Sequence, residues 1–97
     1  MPRPRLRRRI CFQPNITYFK PQGIPLRELE ESILTFDEME AVRLKDLEQL
    51  EQKQCADKMK ISQPTFHRLI VQARKKLAEA IIKGKAIKIQ GGDYTLK

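Results

Sequence analysis

The sequence predicts a mainly α-helical domain of the helix-turn-helix class, with three to four helices, a Pro/Arg-rich N-terminal arm and short terminal β-strands. Two observations lead to this prediction. Apolar residues recur at intervals of three and four between residues 63 and 83, which is the spacing of one helix face. Five of the six prolines lie within the first 25 residues, where they exclude helix from most of the segment.

The chain is expected to form one domain with three segments. A length of 97 residues, 40% of them hydrophobic, supports a single modest core. The segments are a basic Pro-rich arm with a short lead-in helix (residues 1–33), a helix-turn-helix domain (34–83) and a C-terminal strand and tail (84–97).

Short secondary-structure elements are predicted within the arm and just after it. Residues 9–12 and 16–20 are rich in β-branched and aromatic side chains, so each is either a short strand or an apolar anchor. Pro25, followed by apolar Leu26, Leu29 and Ile33, suggests one or two helical turns, because proline is tolerated at the first helical position.

The first full helix is expected to start after Thr35 and to end at residues 46–48. Thr35 and Glu38 have the spacing of a capping box, in which each side chain satisfies a free backbone N–H of the other. The apolar stripe is predicted to consist of Phe36, Met39, Val42 and Leu47, with Leu44 on its flank. The outward side chains are predicted to be Asp37, Glu38, Glu40, Arg43 and Lys45.

Two further helices are predicted on either side of a tight turn. The shorter helix covers residues 51–59 and has Cys55, Ala56 and Met59 on one side. Ser62 is a good N-cap for the longer helix, which runs over 63–83 and ends at Gly84, a residue able to take the left-handed cap. Its buried stripe is predicted to be Phe66, Leu69, Ile70, Ala73, Leu77, Ala80 and Ile81.

A short strand is predicted over residues 86–90, where apolar and polar residues alternate before Gly91 and Gly92. Because an isolated strand is not stable, it needs a partner. The partner is either an N-terminal apolar segment or the same strand of a second subunit, which would make the protein a homodimer through its terminal strands.

The charge is large and unevenly distributed. The formal net charge is +8, and the middle of the chain (residues 21–50) contains three basic and eight acidic residues, between two strongly basic segments. A basic surface gains free energy by displacing counterions from nucleic-acid phosphates. Nucleic acid is therefore the favoured target, and an anionic membrane or an acidic protein surface is the alternative.

The helix pair predicts which residues would bind DNA. Ala56 is small where two helices meet, Ile61 is apolar in the turn, and the outward face of the third helix is centred on Pro64, Arg68, Val71 and Lys75. The base-contact candidates are Gln63, Thr65, His67 and Arg68. The phosphate-contact candidates are Arg3, Arg5, Arg7, Arg8, Arg9, Lys58, Lys60, Arg74, Lys75 and Lys76.

Residues 34–77 resemble the helix-turn-helix of sigma-factor region four, through Leu34-Thr35, Glu38, Val42-Arg43-Leu44, Asp46-Leu47-Glu48, Cys55-Ala56-Asp57, Ile61-Ser62-Gln63, Thr65-Phe66-His67-Arg68 and Ala73-Arg74-Lys75-Lys76-Leu77. Residues 1–92 are also similar to a small prokaryotic family of unknown function, known as predicted DNA-binding proteins. That wider resemblance includes Pro2-Arg3-Pro4-Arg5, Arg8-Arg9-Ile10-Cys11-Phe12, Tyr18-Phe19-Lys20-Pro21, residues 23–30 and Gly84-Lys85-Ala86.

The resemblance implies that the protein binds double-stranded DNA as a transcriptional regulator. The chain departs from the pattern at two positions. Lys60 occupies the turn position that is usually glycine, so it carries a cost of about 1 kcal/mol if it is left-handed. Cys55 occupies a position that is usually alanine, where a free cysteine acts as a small hydrophobic residue.

Two other functions remain open at this stage. The Tyr18-Phe19 pair could stack on the bases of single-stranded nucleic acid or RNA, although such a pair is more often part of the core. The acidic residues between 28 and 48 could instead form a solvated face that binds RNA polymerase or another protein partner.

The sequence also argues against several classes of site. Cys11 is interpreted as a buried small hydrophobic residue rather than a redox sensor, because Ile10 and Phe12 flank it. With two cysteines and one histidine, no metal site is expected, and neither a cofactor nor a catalytic residue is predicted. Without a signal peptide or an apolar span, the protein is expected in the cytoplasm and not in a membrane.

Overall fold

The computed structural model describes residues 7–96, which form three α-helices and five short strands. The helices are α1 (Phe36–Val42), α2 (Gln52–Met59) and α3 (Gln63–Lys83). The strands are β1 (Arg8–Ile10), β2 (Tyr18–Phe19), β3 (Glu31–Leu34), β4 (Ala86–Ile89) and β5 (Tyr94–Leu96). A 3-10 turn (Leu26–Glu28) precedes β3, and a π-helical turn (Arg43–Leu47) extends α1. The chain is thus mainly helical with short strands, as expected.

The helix ends are set by the residues that the sequence indicated. Thr35 Oγ1 accepts a hydrogen bond from the Glu38 N–H (3.3 Å), and Glu38 Oε1 accepts one from the Thr35 N–H (2.9 Å). Ser62 Oγ accepts a hydrogen bond from the Thr65 N–H (3.3 Å) at the start of α3. Gly84 ends α3 in the left-handed conformation, with φ of 69°. The predicted caps and the bounds of α3 are confirmed.

The strands form two small sheets that bring the two ends of the chain together. In the larger sheet, β4 lies between β2, to which it is antiparallel, and β3, to which it is parallel. In the smaller sheet, β1 and β5 are parallel. Residues 86–89 therefore find both partners within the chain, and β4 has no open edge for a second subunit. A dimer through the terminal strands would have to use another edge.

The lead-in helix extends less far than predicted. Only Leu26–Glu28 forms a 3-10 turn, whereas Ile33 lies in β3. Ser32 and Leu34 are buried while their neighbours are more exposed, which is the period-two pattern of a strand rather than a helical period. The backbone of this segment is satisfied by pairing with β4, a partner more than fifty positions away in the sequence.

The core consists of two adjoining clusters of apolar side chains between the helices and the larger sheet. One cluster joins α1, the π-helical turn, α2 and α3, and is composed of Ala41, Leu44, Cys55, Ala56, Met59, Phe66, Leu69 and Ile70. The other joins α1 and α3 to the sheet through Leu34, Met39, Ala73 and Ile89. Cys55 is fully buried, as expected of a small hydrophobic residue, and this burial raises the pKa of its thiol.

Two residues predicted to be in the apolar stripes are exposed. Leu47 is 75% exposed because the wider π-helical turn rotates it out of the stripe that α1 begins. Ile81, also 75% exposed, lies in the last turns of α3 and borders a shallow groove with Phe19. Phe19 is itself 52% exposed, so the Tyr18-Phe19 pair is not a core pair.

The largest departure from the sequence prediction concerns the acidic residues of α1. Asp37, Glu38 and Glu40 were expected on an outward, solvated face, yet they are between 1% and 4% exposed. The helix packs against α3 on one side and β1 on another, so little of its surface reaches solvent. Each buried carboxylate instead faces a basic residue from another part of the chain, or from the following turn.

Glu40 has the most complete set of partners. Its Oε1 accepts from Arg43 Nε and its Oε2 from Arg43 Nη2, both at 2.8 Å, and Oε2 also accepts from the Cys11 N–H at 2.9 Å. These contacts raise the pKa of Arg43 and fasten the end of β1 to α1. The side chain of Cys11 is exposed, so the prediction of a buried cysteine is wrong: the backbone, and not the thiol, is held against α1.

We expect Glu40→Ala to lower the free energy of unfolding by about 3 kcal/mol, because the substitution leaves the Arg43 guanidinium, 20% exposed, without its main partner. Glu48→Ala removes a half-exposed partner of the same arginine and should cost under about 1 kcal/mol. Urea denaturation of both variants measures the difference. Equal losses would contradict the assigned role of the buried carboxylate.

Candidate nucleic-acid interface

The turn between α2 and α3 holds the two helices in close contact. Lys60 is left-handed, with φ of 60° and ψ of 42°, which reverses the chain at the end of α2. Ile61 follows, donating its N–H to the Ala56 carbonyl at 3.0 Å, and its side chain packs against the core. Gln52 Nε2 donates to the Gln63 carbonyl at 3.3 Å, which ties the start of α2 to the start of α3. The turn therefore fixes how far the first turns of α3 project.

Three of the four base-contact candidates lie together on the exposed surface of α3. Gln63, His67 and Arg68 are exposed. Thr65 is half-buried, and its hydroxyl accepts from Ser62 Oγ at 2.9 Å and from Arg68 Nη2 at 3.2 Å. Thr65 is thus placed to position Arg68, while Gln63, His67 and Arg68 are exposed to solvent.

The phosphate-contact candidates separate into free and neutralised groups. Arg7, Lys58, Lys60 and Lys75 are exposed, and none forms an ion pair with another residue in 7–96. Arg9 is half-buried, with an Nε that has no hydrogen-bond partner in the same range. Arg3 and Arg5 lie outside the described residues.

Three candidates are paired with carboxylates from distant parts of the chain. Arg8 lies 3.7 Å from both Asp37 and Asp93, and Lys76 Nζ lies 2.8 Å from Glu38 Oε1. Arg74 makes two contacts with Asp46, through Nη2 at 2.5 Å and through Nε at 3.2 Å. Hydrogen bonding from Arg74 lowers the pKa of Asp46, so the carboxylate stays ionised to more acidic pH than a free aspartate. Phosphate would have to compete with these carboxylates.

A polar cleft of about 430 Å³ runs beside the first half of α3. Arg68, Gln72 and Lys76 line its α3 side, and Arg8 and Asp93 lie across it. The cleft places Arg8, at the start of β1, opposite Arg68. Sequence reasoning missed Asp93, because the wall opposite α3 is formed by residues far from it in the sequence.

Two features that would indicate other kinds of site are absent from residues 7–96. Residues 7–96 contain no group of three or more His, Cys, Asp or Glu side chains placed to hold a metal ion. Among the same residues, no helix has the length and apolar character needed to span a bilayer. The exposed basic surface around α2 and α3 is the principal candidate site.

The fold and the candidate site define the class of protein: it is small and mainly helical, and its longest helix carries a basic surface. The chain belongs to the family described as "Protein of unknown function DUF134", which matches residues 1–97. This confirms the resemblance to a small family of uncharacterised proteins.

Several bacterial relatives are named UPF0251 proteins. The chain is 61% identical to a UPF0251 protein of Caldanaerobacter subterraneus over 94 residues, covering 97% of this chain and 80% of the relative. It is 56% identical to one from Thermoanaerobacter sp. over 94 residues, covering 97% and 83%. A Clostridium botulinum relative is 56% identical over 97 residues, which make up 62% of its length. No solved structure matches the chain significantly.

We expect Lys60→Gly to raise the free energy of unfolding by about 0.5–1 kcal/mol, because glycine adopts the left-handed conformation without the clash of a Cβ. Lys58→Gly is the matched control, since it removes the same charge from a helical position, and it should cost about 1 kcal/mol. Urea denaturation compares the two variants. A loss of stability on Lys60→Gly would show that the turn does not impose this conformation.

Proposed function

We propose that the protein binds double-stranded DNA in a sequence-specific manner, as a cytoplasmic transcriptional regulator, and that α2 and α3 act as a helix-turn-helix similar to that of sigma-factor region four. One observation carries the proposal. In the first two turns of α3, Gln63, His67 and Arg68 are all exposed, and within residues 7–96 no carboxylate pairs with them. Farther along the helix, Arg74 and Lys76 are both neutralised.

The chemistry of this face suits the edges of base pairs. An α-helix has a diameter of about 10–12 Å, which fits the major groove. In α3, the first turns follow the tight turn directly, which is the part of a recognition helix that contacts bases. Arginine can read guanine through two hydrogen bonds, and glutamine can read adenine in the same way. Arg68 and Gln63 are the side chains to which we assign these roles.

The free cations around this face suit phosphate groups. Lys58 and Lys60 lie at the turn before α3, Lys75 lies two turns beyond Arg68, and the exposed Arg7 directly precedes Arg8, which lines the cleft. Contacts of this kind fix the position of a protein on the duplex without reading its sequence. They also make affinity fall steeply with rising salt, because the release of condensed counterions then contributes less free energy.

The two competing functions have weaker support. An acidic interaction face over residues 28–48 loses three of its carboxylates to the interior, since Asp37, Glu38 and Glu40 are buried. A single-strand binding surface at β2 keeps the exposed ring of Phe19, but the Tyr18 hydroxyl is engaged with Glu31 at 2.9 Å. Both remain outcomes of the binding experiment.

We expect fluorescence anisotropy to show tighter binding to duplex DNA than to single-stranded DNA or RNA, and a steep loss of affinity with rising salt. On a duplex selected from a random pool, Arg68→Ala should weaken binding by roughly 5- to 150-fold, which is the value of a bidentate base contact. Lys83→Ala, a charge at the far end of α3, is the matched control and should change affinity less than twofold.

Two results would contradict the proposal. Equal or tighter binding to single strands would favour the nucleic-acid surface at β2. Absence of duplex binding at low salt would favour a protein partner instead. In either case Arg68→Ala would behave like Lys83→Ala.

A further inference from the structure

The polar face of α3 contains one exposed branched apolar side chain near its centre. Val71 is 49% exposed, and it follows His67 by four positions and Arg68 by three. Lys75, four positions later, is also exposed. Residues at these spacings are neighbours on a helix surface, so the valine methyl groups lie beside the polar groups assigned to base contact. Isolated exposed apolar residues are common on protein surfaces, so the exposure of Val71 does not by itself indicate a role. Its position among the base-contact candidates does.

The position corresponds to a definite distance along a DNA groove. Three or four residues of helix advance by about 4.5–6 Å, whereas successive base pairs are stacked about 3.4 Å apart. A helix lying along the groove therefore brings Val71 within one or two base pairs of the base that Arg68 contacts. The valine side chain has neither a donor nor an acceptor, so it cannot read a base by hydrogen bonding. In the major groove, the feature that an apolar group matches is the 5-methyl group of thymine.

We propose that Val71 is a specificity-determining residue that contacts the methyl group of a thymine one or two base pairs from the base read by Arg68. The inference rests on the proposed function, because it needs α3 in the major groove. It adds a chemical prediction about the target: the site contains a thymine whose contribution comes from its methyl group and not from its hydrogen-bonding edge.

The same helix supplies a matched control. Ile82 is 82% exposed and lies eleven residues after Val71, which places it on nearly the same side of the helix. It is about 16 Å farther along the axis, in the half of α3 that does not enter the groove when a recognition helix contacts bases through its N-terminal residues. Ile82 therefore tests whether any exposed apolar side chain on this face has the same effect.

The experiment replaces thymine by deoxyuracil, which differs only in lacking the methyl group. A duplex is first selected from a random pool with the wild-type protein, and each thymine is then replaced singly. Wild type is expected to lose about three- to fivefold in affinity at one thymine, the value of burying one methyl group. Val71→Ala should lose most of this discrimination, because the shorter side chain removes the two methyl groups that reach farthest from the helix, whereas Ile82→Ala should discriminate as wild type does.

A second variant distinguishes the loss of a methyl contact from a general loss of binding caused by the substitution. Val71→Thr keeps the branched shape and replaces one methyl by a hydroxyl, so it should reduce the discrimination while Arg68 still contributes to binding. The inference is overturned if wild type tolerates deoxyuracil at every position, or if Val71→Ala discriminates as wild type does, while Arg68→Ala still weakens binding. Failure to select any duplex overturns the proposed function as well.

Discussion

The architecture depends on the burial of three carboxylates on one short helix. A charge removed from water must be paired, and the cations that pair with Asp37, Glu38 and Glu40 come from three different elements: Arg8 in β1, Lys76 in α3 and Arg43 in the π-helical turn. Helix α1 thereby fixes the N-terminal strand, the long helix and its own extension with respect to one another. The direction in which α3 presents its outer face follows from this arrangement.

The helices were predictable from the sequence, whereas the sheets were predictable only in part: the strand near residues 86–90 and an N-terminal partner for it were expected, but β3 and β5 were not. Thr35, Ser62 and Gly84 act on backbone groups a few positions away, so their effect is visible in a local pattern. Residues 31–34 become a strand because they pair with residues 86–89, and no local pattern records that partner. The acidic residues of α1 were misjudged for the same reason, because a helix covered on two sides has no solvated face.

The candidate site shows the same division. Helical periodicity correctly placed Arg68 and Val71 on the outward face of α3. It did not indicate that Arg74, Lys76 and Arg8 would be neutralised. Their carboxylate partners lie 28 to 38 positions away in the sequence, where a local pattern does not record them. Net charge consequently overstates the cationic surface available to a phosphate backbone, and the free charge is concentrated near the turn before α3.

The central position of β4 also constrains the order in which the chain can acquire its structure. Both β2 and β3 are hydrogen-bonded to β4, and Glu31 pairs with Ala86 across 55 positions. During synthesis the three helices are complete once residue 83 has emerged, because their hydrogen bonds are local. The larger sheet has no middle strand until residues 86–89 have left the ribosome. Until then the N-terminal segments have no strand to join, and they are exposed to capture by other nascent chains.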